Sequence, residues 1–265
     1  MEIPEARWYA GLDVHKDSIA VAVLERYGGE PELEAVKPYR VSAMRELLSR
    51  YRADGDVVAC YEAGPTGYGL ARSLAEAGIR CHVLAPNKVP RVATDRVKTD
   101  RRDAAKLARA LRCGEAVEVR IPEPAAEAVR EYVRMRHEFK RRGARLKNSL
   151  QSLLLRHGWR YEGKTPWTQE HWKWIAGIRA QQPQLQECIS RRADTIRYFQ
   201  EQVRQMDARI KEYADTPLFR EPVTRLKCLK GIGTFTAMAL VAEIGDFHRF
   251  PSAGAFNGVS GPGAE

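Results

Sequence analysis

The apolar residues of this chain change their spacing near residue 120, and that change restricts the fold to two kinds of packing in series. Before it, β-branched runs of strand length, IAVAVL at 19–24, DVVACYE at 56–62 and RCHVL at 80–84, alternate with helical stretches. Such alternation up to about residue 115 predicts an α/β domain with a mixed sheet. Beyond it, one helical pattern runs from Pro124 to about Arg156, and residues 185–213 repeat in heptads. Ile189, Ile196, Val203 and Ile210 form one row, Phe199, Met206 and Tyr213 a second, and only Arg192 interrupts. This 3,4 spacing predicts a coiled coil, formed with the preceding long helix or with a second copy of the chain. A helical hairpin that also joins subunits is the favoured arrangement.

Local signals place the elements. Residues 7–26 read as two strands around a turn at His15 to Asp17, and a third strand is expected from Glu34 to Val41. Ser42 is the expected N-cap of a helix burying Leu47 and Leu48, and residues 56–63 form a buried central strand. Gly64, Pro65 and Gly67 break the chain before a helix that stops at Gly78, and a fifth strand follows. Trp159, Trp167, Trp172 and Trp174 are expected to pin an irregular connector against the helices. The last block reads as a helix up to Lys230, the turn Gly231-Ile232-Gly233 and a second helix ending near Gly245, a helix-hairpin-helix pattern. The expected domains are 1–120, 121–217 and 218–265.

Charge restricts the partners. Lys and Arg total 44 against 34 Asp and Glu, a formal charge of +10, the footprint of a partner rich in phosphate. Between Arg130 and Arg156 nine basic residues face two acids, among them Arg141, Arg142, Arg145 and Lys147. Five scattered cysteines without metal-ligand spacing fit a reducing compartment, and no run of apolar residues is long enough to span a bilayer. The expectation is a cytoplasmic, nucleoid-associated protein without a membrane partner.

Against that basic background four acids stand out. Asp100 and Asp103 lie three apart at the start of a helical stretch, so both face one spot while the basic residues fan out. Asp13 and Glu62 sit in apolar strands, where an unpaired charge is costly, and Glu62 closes a strand where α/β sheets open onto a crevice. Four carboxylates from three segments suit a hard divalent cation, Mg²⁺ or Mn²⁺, or two such ions about 3.5–4 Å apart at a phosphodiester. Alone, each acid is an ordinary cap or surface charge, and Asp100 reads equally as the cap of a helix starting at Arg101. Lys98, Arg101 and Arg102 are candidates for neutralising phosphate, as are Lys227 and Lys230 beside Gly231 and Gly233, whose backbone N–H groups can approach a phosphate closely.

The phrases GLDVHKDSIAVAVL (11–24), YEAGPTGYGLARSLAEAG (61–78) and NKVPRVATDRVKTDRRDAAKLARAL (87–111) resemble the N-terminal domain of the DEDD transposases of bacterial insertion sequences, the family that includes the Piv invertase. GIGTFTAMALVAEIGDFHRFPSAGAF (231–256) is similar to that family's C-terminal transposase domain. The resemblance implies an α/β RNase H/RuvC-like N-terminal domain followed by a coiled-coil region and a helix-hairpin-helix transposase domain. It implies Asp13, Glu62, Asp100 and Asp103 as the catalytic, metal-binding tetrad, donor and target DNA as substrates, and recombination guided by a structured bridge RNA within a homodimer or higher homo-oligomer. His15 and Lys16, in the same phrase, are read as structural.

The resemblance further implies a serine nucleophile in a Ser-Ser-Gly-like segment expected beyond Glu265. Ser252 belongs to the preceding helix signature, and Ser260 lies upstream of the expected position. The expectation is a chain truncated ahead of its nucleophile, with Ser260 in a divergent arrangement as the alternative. Two other readings stay open: a resolvase-like nuclease in which the tetrad activates water, and a nucleic-acid-binding regulator whose acids are structural.

Overall fold

The computed structural model describes residues 5–86, 99–250 and 252. The chain divides into two compact units, Met1–Ile121 and Pro122–Glu265.

In the first unit, strands β1 (Trp8–Val14), β2 (Ile19–Glu25) and β3 (Glu32–Val36) form an antiparallel meander, and β4 (Val57–Glu62) and β5 (Arg80–Leu84) run parallel to β1. The sheet order is β3-β2-β1-β4-β5. Helices α1 (Val41–Arg52) and α2 (Gly69–Glu76) make the crossovers, and α3 (Asp100–Cys113) follows β5. This mixed sheet with its helices is the α/β class that the alternation of strands and helices predicts. The period of two sorts the strand residues between the faces. Ala10, Leu12, Ala59 and Tyr61 join Met44, Leu48 and Leu74 of α1 and α2 in one apolar cluster. Tyr9, Val58, Cys60 and Leu84 join Ala104, Leu107, Ala108 and Leu111 of α3 in the other.

Several expectations change in detail. The third strand ends at Val36, before Pro38, whose ring cannot donate to a ladder. Arg40 rather than Ser42 occupies the N-cap of α1, and no side chain caps that helix. Thr99 is the N-cap of α3, so Asp100 is its first helical residue and not its cap. The central strand is β1; β4 lies beside it, flanked on its other side by β5. Gly78, with φ of 74°, ends α2 as expected, in the left-handed conformation that a side chain disfavours.

In the second unit, α4 (Pro124–Arg156) and α6 (Pro183–Ala214) pack along each other as a hairpin. Between them the tryptophan-rich connector contains a helix, α5 (Gln169–Gly177), capped by Thr168, whose side chain accepts from the backbone of His171. Trp159, Trp167, Trp172 and Trp174 pack against Leu150, Leu154, Ile175, Ile189 and Ile196. At the other end, Val133 and Ile210 share a cluster with Val223 of α7 (Arg220–Lys227) and with Ala237, Met238 and Val241 of α8 (Thr234–Ile244). Helix α7 stops at Lys227, three residues before the expected end, and Gly231 turns the chain with φ of 89°. Among the described residues, no helix is long and apolar enough to cross a membrane.

Candidate metal centre

The alternation that builds the sheet also aims its acids. Odd-numbered residues of β1 and even-numbered residues of β4 face α3, so Asp13 and Glu62 end their strands on the same side as that helix. The parallel register closes with Leu12 opposite Tyr61, and the next step along both strands is Asp13 and Glu62. Gly11 sets the height of the helix above them. A Cβ built there would lie 2.1 Å from the carbonyl oxygen of Ala104 and 2.4 Å from the nitrogen of Ala108. Only glycine lets the α3 backbone rest on β1 this closely, one turn after the helix has presented Asp100 and Asp103.

Asp13 and Asp100 converge on His15, which opens the β1–β2 turn and whose backbone N–H donates to the Ser18 carbonyl at 2.9 Å. His15 Nε2 lies 3.1 Å from Asp13 Oδ2 and 3.6 Å from Asp100 Oδ1. One donor atom from each of the three residues falls within 4.8 Å of the others. Burial pushes the Asp13 carboxyl above its ordinary range; His15 draws it back, and the charges of Asp100 and Asp103 push it up again. Asp103 is half-buried on the inner side of α3, and Glu62 is exposed at its strand end; both stand outside the three-residue cluster. The structure thus brings Asp13 and Asp100 together directly and does not bring Asp103 or Glu62 into the same cluster. His15, read from sequence as structural, sits between the two acids. No sequence signal marks it, since the second acid that faces it comes from far along the chain.

The donor set fits a divalent cation. Oxygen-rich sites with open positions suit Mg²⁺ and Mn²⁺, and carboxylates that repel one another, one of them partly desolvated, are relieved by positive charge between them.

The basic candidates fall into three places. Arg101 and Arg102 line a groove of about 510 Å³ with Lys106 and Arg109 of α3 and with Glu30, Pro31 and Leu33. On α4, Arg141 and Arg145 are exposed, Arg142 pairs with Glu138, and Lys147 lies 5.1 Å over the Trp167 ring, where burial lowers its pKa. In the second unit Lys227 ends α7, Lys230 and Gly231 lie in the exposed turn, and Gly233 is the N-cap of α8. Lys98 and Ser260 lie outside the described residues.

Among solved structures, T. thermophilus RuvC in complex with Holliday junction substrate aligns with a TM-score of 0.30 and 16% identity, over 42% of this chain and 99% of that one. The transposase for insertion sequence element IS1533 of Leptospira borgpetersenii is 35% identical over 242 residues, covering 90% of this chain and 70% of that protein. The protein y4qE of Sinorhizobium fredii is 34% identical over 251 residues, covering 92% of this chain and 60% of its own length. Residues 10–158 match the IS110-type DEDD transposase family, and residues 223–261 match the family described as Transposase IS116/IS110/IS902 family. With more than half of its length inside the first of these matches, the chain belongs to the IS110-type DEDD transposases.

Proposed function

We propose that this chain carries the metal-dependent phosphodiester chemistry of an insertion-sequence DNA transposase, with Asp13, Glu62, Asp100 and Asp103 holding Mg²⁺ or Mn²⁺. The observation that carries this reading is the meeting of Asp13 and Asp100, from a strand and a distant helix, within 4.8 Å of one shared imidazole nitrogen. Their mutual repulsion has a use if a cation and a phosphate enter together. A bound divalent ion would supply Lewis acidity at a phosphoryl oxygen and counter-charge for the leaving oxygen.

The protein's own part is placement. Asp13 is fixed by the β1 ladder, and Asp100 and Asp103 by the contact of α3 with Gly11. Glu62 enters from the end of the neighbouring strand. Arg101 and Arg102, in the groove beside α3, hold the backbone of the DNA being cut. The exposed Arg141 and Arg145, with Arg142, add phosphate contacts along α4, and Lys227, Lys230 and the glycine turn add others before α8. Such contacts grip shape and charge and carry no sequence. In this reading target choice is delegated to a structured bridge RNA, donor and target DNA are both substrates, and the working assembly is a homo-oligomer.

Incubation of the chain with supercoiled or branched DNA tests the chemistry. Cleavage or nicking that requires Mg²⁺ or Mn²⁺ and is abolished by Asp13→Asn is the expected result; cutting that survives chelation would contradict it. A covalent protein–DNA adduct marks strand transfer through a side-chain ester, and its absence with cutting retained marks water as the nucleophile. Expression with flanking element DNA tests guidance: a defined small RNA should copurify, and random fragments would count against it.

A further inference from the structure

We infer that His15 is itself a ligand of the catalytic ion, so that the centre is a mixed nitrogen–oxygen site that prefers Mn²⁺ to Mg²⁺. This rests on the metal-dependent reading of the Asp13 site and adds a ligand to it.

Three observations point to His15. Its Nε2 is the atom on which the Asp13 and Asp100 carboxylates converge, at 3.1 and 3.6 Å. The His15–Asp13 contact has hydrogen-bond length, and a cation entering the cluster would take the place of the shared proton. The backbone holds the ring there as well. The His15 N–H donates to Ser18 at 2.9 Å, and the β1–β2 ladder closes on the Val14–Ile19 pair, so the residue stands on a short turn between two strands of the sheet. Finally, the ring is half exposed, with a side-chain accessibility of 53%, so burial does not require it to point at the acids. A solvent-facing histidine turned onto two carboxylates is placed where an incoming cation would also sit.

The consequence is a choice among metals. Imidazole nitrogen is a softer donor than carboxylate oxygen and is favoured by first-row transition ions, whereas Mg²⁺ favours oxygen alone and sheds water reluctantly. Among ions tolerated at a phosphoryl centre, Mn²⁺ gains from the imidazole and Mg²⁺ gains little. Lys16 and Asp17, exposed in the same turn, supply no comparable donor to the cluster.

Pulsed electron paramagnetic resonance of Mn²⁺ bound to the full chain tests this without turnover. The expected spectrum carries nitrogen hyperfine coupling, and His15→Gln removes that coupling while weakening Mn²⁺ binding on the order of tenfold. Mg²⁺ affinity, followed by competition, changes several-fold less. Bound Mn²⁺ that shows no nitrogen coupling in the unmodified chain would overturn the role of His15 and leave the carboxylate site standing. A coupling that persists in His15→Gln would assign the nitrogen to another residue and overturn it equally. Absence of any bound Mn²⁺ would overturn the metal site altogether. The unmodified chain alone decides the first and last cases, so a poorly folding variant does not blunt the test.

Discussion

Gly11 has no chemistry of its own, yet it decides whether the acids meet. Replacing it with alanine puts a methyl group 2.1 Å from the Ala104 carbonyl oxygen, and both neighbours are backbone atoms that cannot swing aside. Helix α3 must lift, and overpacking of this kind typically costs about 1–3 kcal/mol. Gly11→Ala is therefore expected to lower the unfolding free energy in urea by that amount and to weaken Mn²⁺ binding measured calorimetrically, because Asp100 and Asp103 move with the helix. Unchanged metal affinity in a destabilised protein would separate the helix contact from the site. At this scale the sequence was partly legible. Asp13 betrayed itself as a charge inside an apolar strand, and Asp100 and Asp103 by their helical spacing. His15 did not, because a polar residue in a turn is ordinary; its meaning comes from α3, which approaches from far along the chain. Glu62 was legible as a strand end, but not the distance that keeps it out of the tight cluster.

At the scale of elements, the α4–α6 hairpin is held at one end by an ion pair beside the apolar cluster of Val133 and Ile210, and at the other by the tryptophan cluster. Arg136, 7% exposed, forks onto Asp207 with bonds of 2.8 and 2.9 Å and lies 3.8 Å over the ring of Phe235, tying α8 to both long helices. Breaking a buried pair costs about 3–5 kcal/mol, but Asp207 keeps contact with water, so Arg136→Ala should cost about 2–3 kcal/mol in chemical denaturation. The double change Arg136→Met with Asp207→Leu should recover most of that loss. The tryptophan connector offers a pH test. The His171 ring, 2% exposed, stacks on Trp174 and accepts the backbone N–H of Trp167 at Nδ1, and burial lowers its pKa below the ordinary value. Below about pH 6.5 the unfolded chain takes up a proton that the folded one refuses. Stability is therefore full above that pH and falls as pH drops towards the lowered folded value. Tryptophan fluorescence during acid titration should report this loss, and His171→Asn, which keeps an acceptor without a titrating ring, should flatten it. The bounds of the long helix α4 were legible because periodicity accumulates over many turns. Helix α5 was not: it spans only Gln169–Gly177, and its Thr168 cap lay hidden among tryptophans.

For the whole molecule, the +10 charge bears on partners rather than on fold. Helix α6 neutralises much of its own charge through Glu187–Arg191, Glu201–Arg204 and Arg209–Glu212, whereas α4 leaves Arg141 and Arg145 exposed. Duplex DNA binding should weaken linearly with the logarithm of salt, and the double variant Arg141→Ala with Arg145→Ala should reduce the slope by about 2. An unchanged slope would remove α4 from the interface. A mixed sheet was legible from the marked strands and crossovers; the strand order, with β1 at its centre, and the position of α3 on the far face needed the structure. The central claim, that acids from separate segments share one ion, is tested most directly by anomalous diffraction from crystals grown with Mn²⁺. A peak in contact with both Asp13 and Asp100 is expected. Full Mn²⁺ occupancy elsewhere on the molecule, with those two carboxylates left without metal, would contradict it.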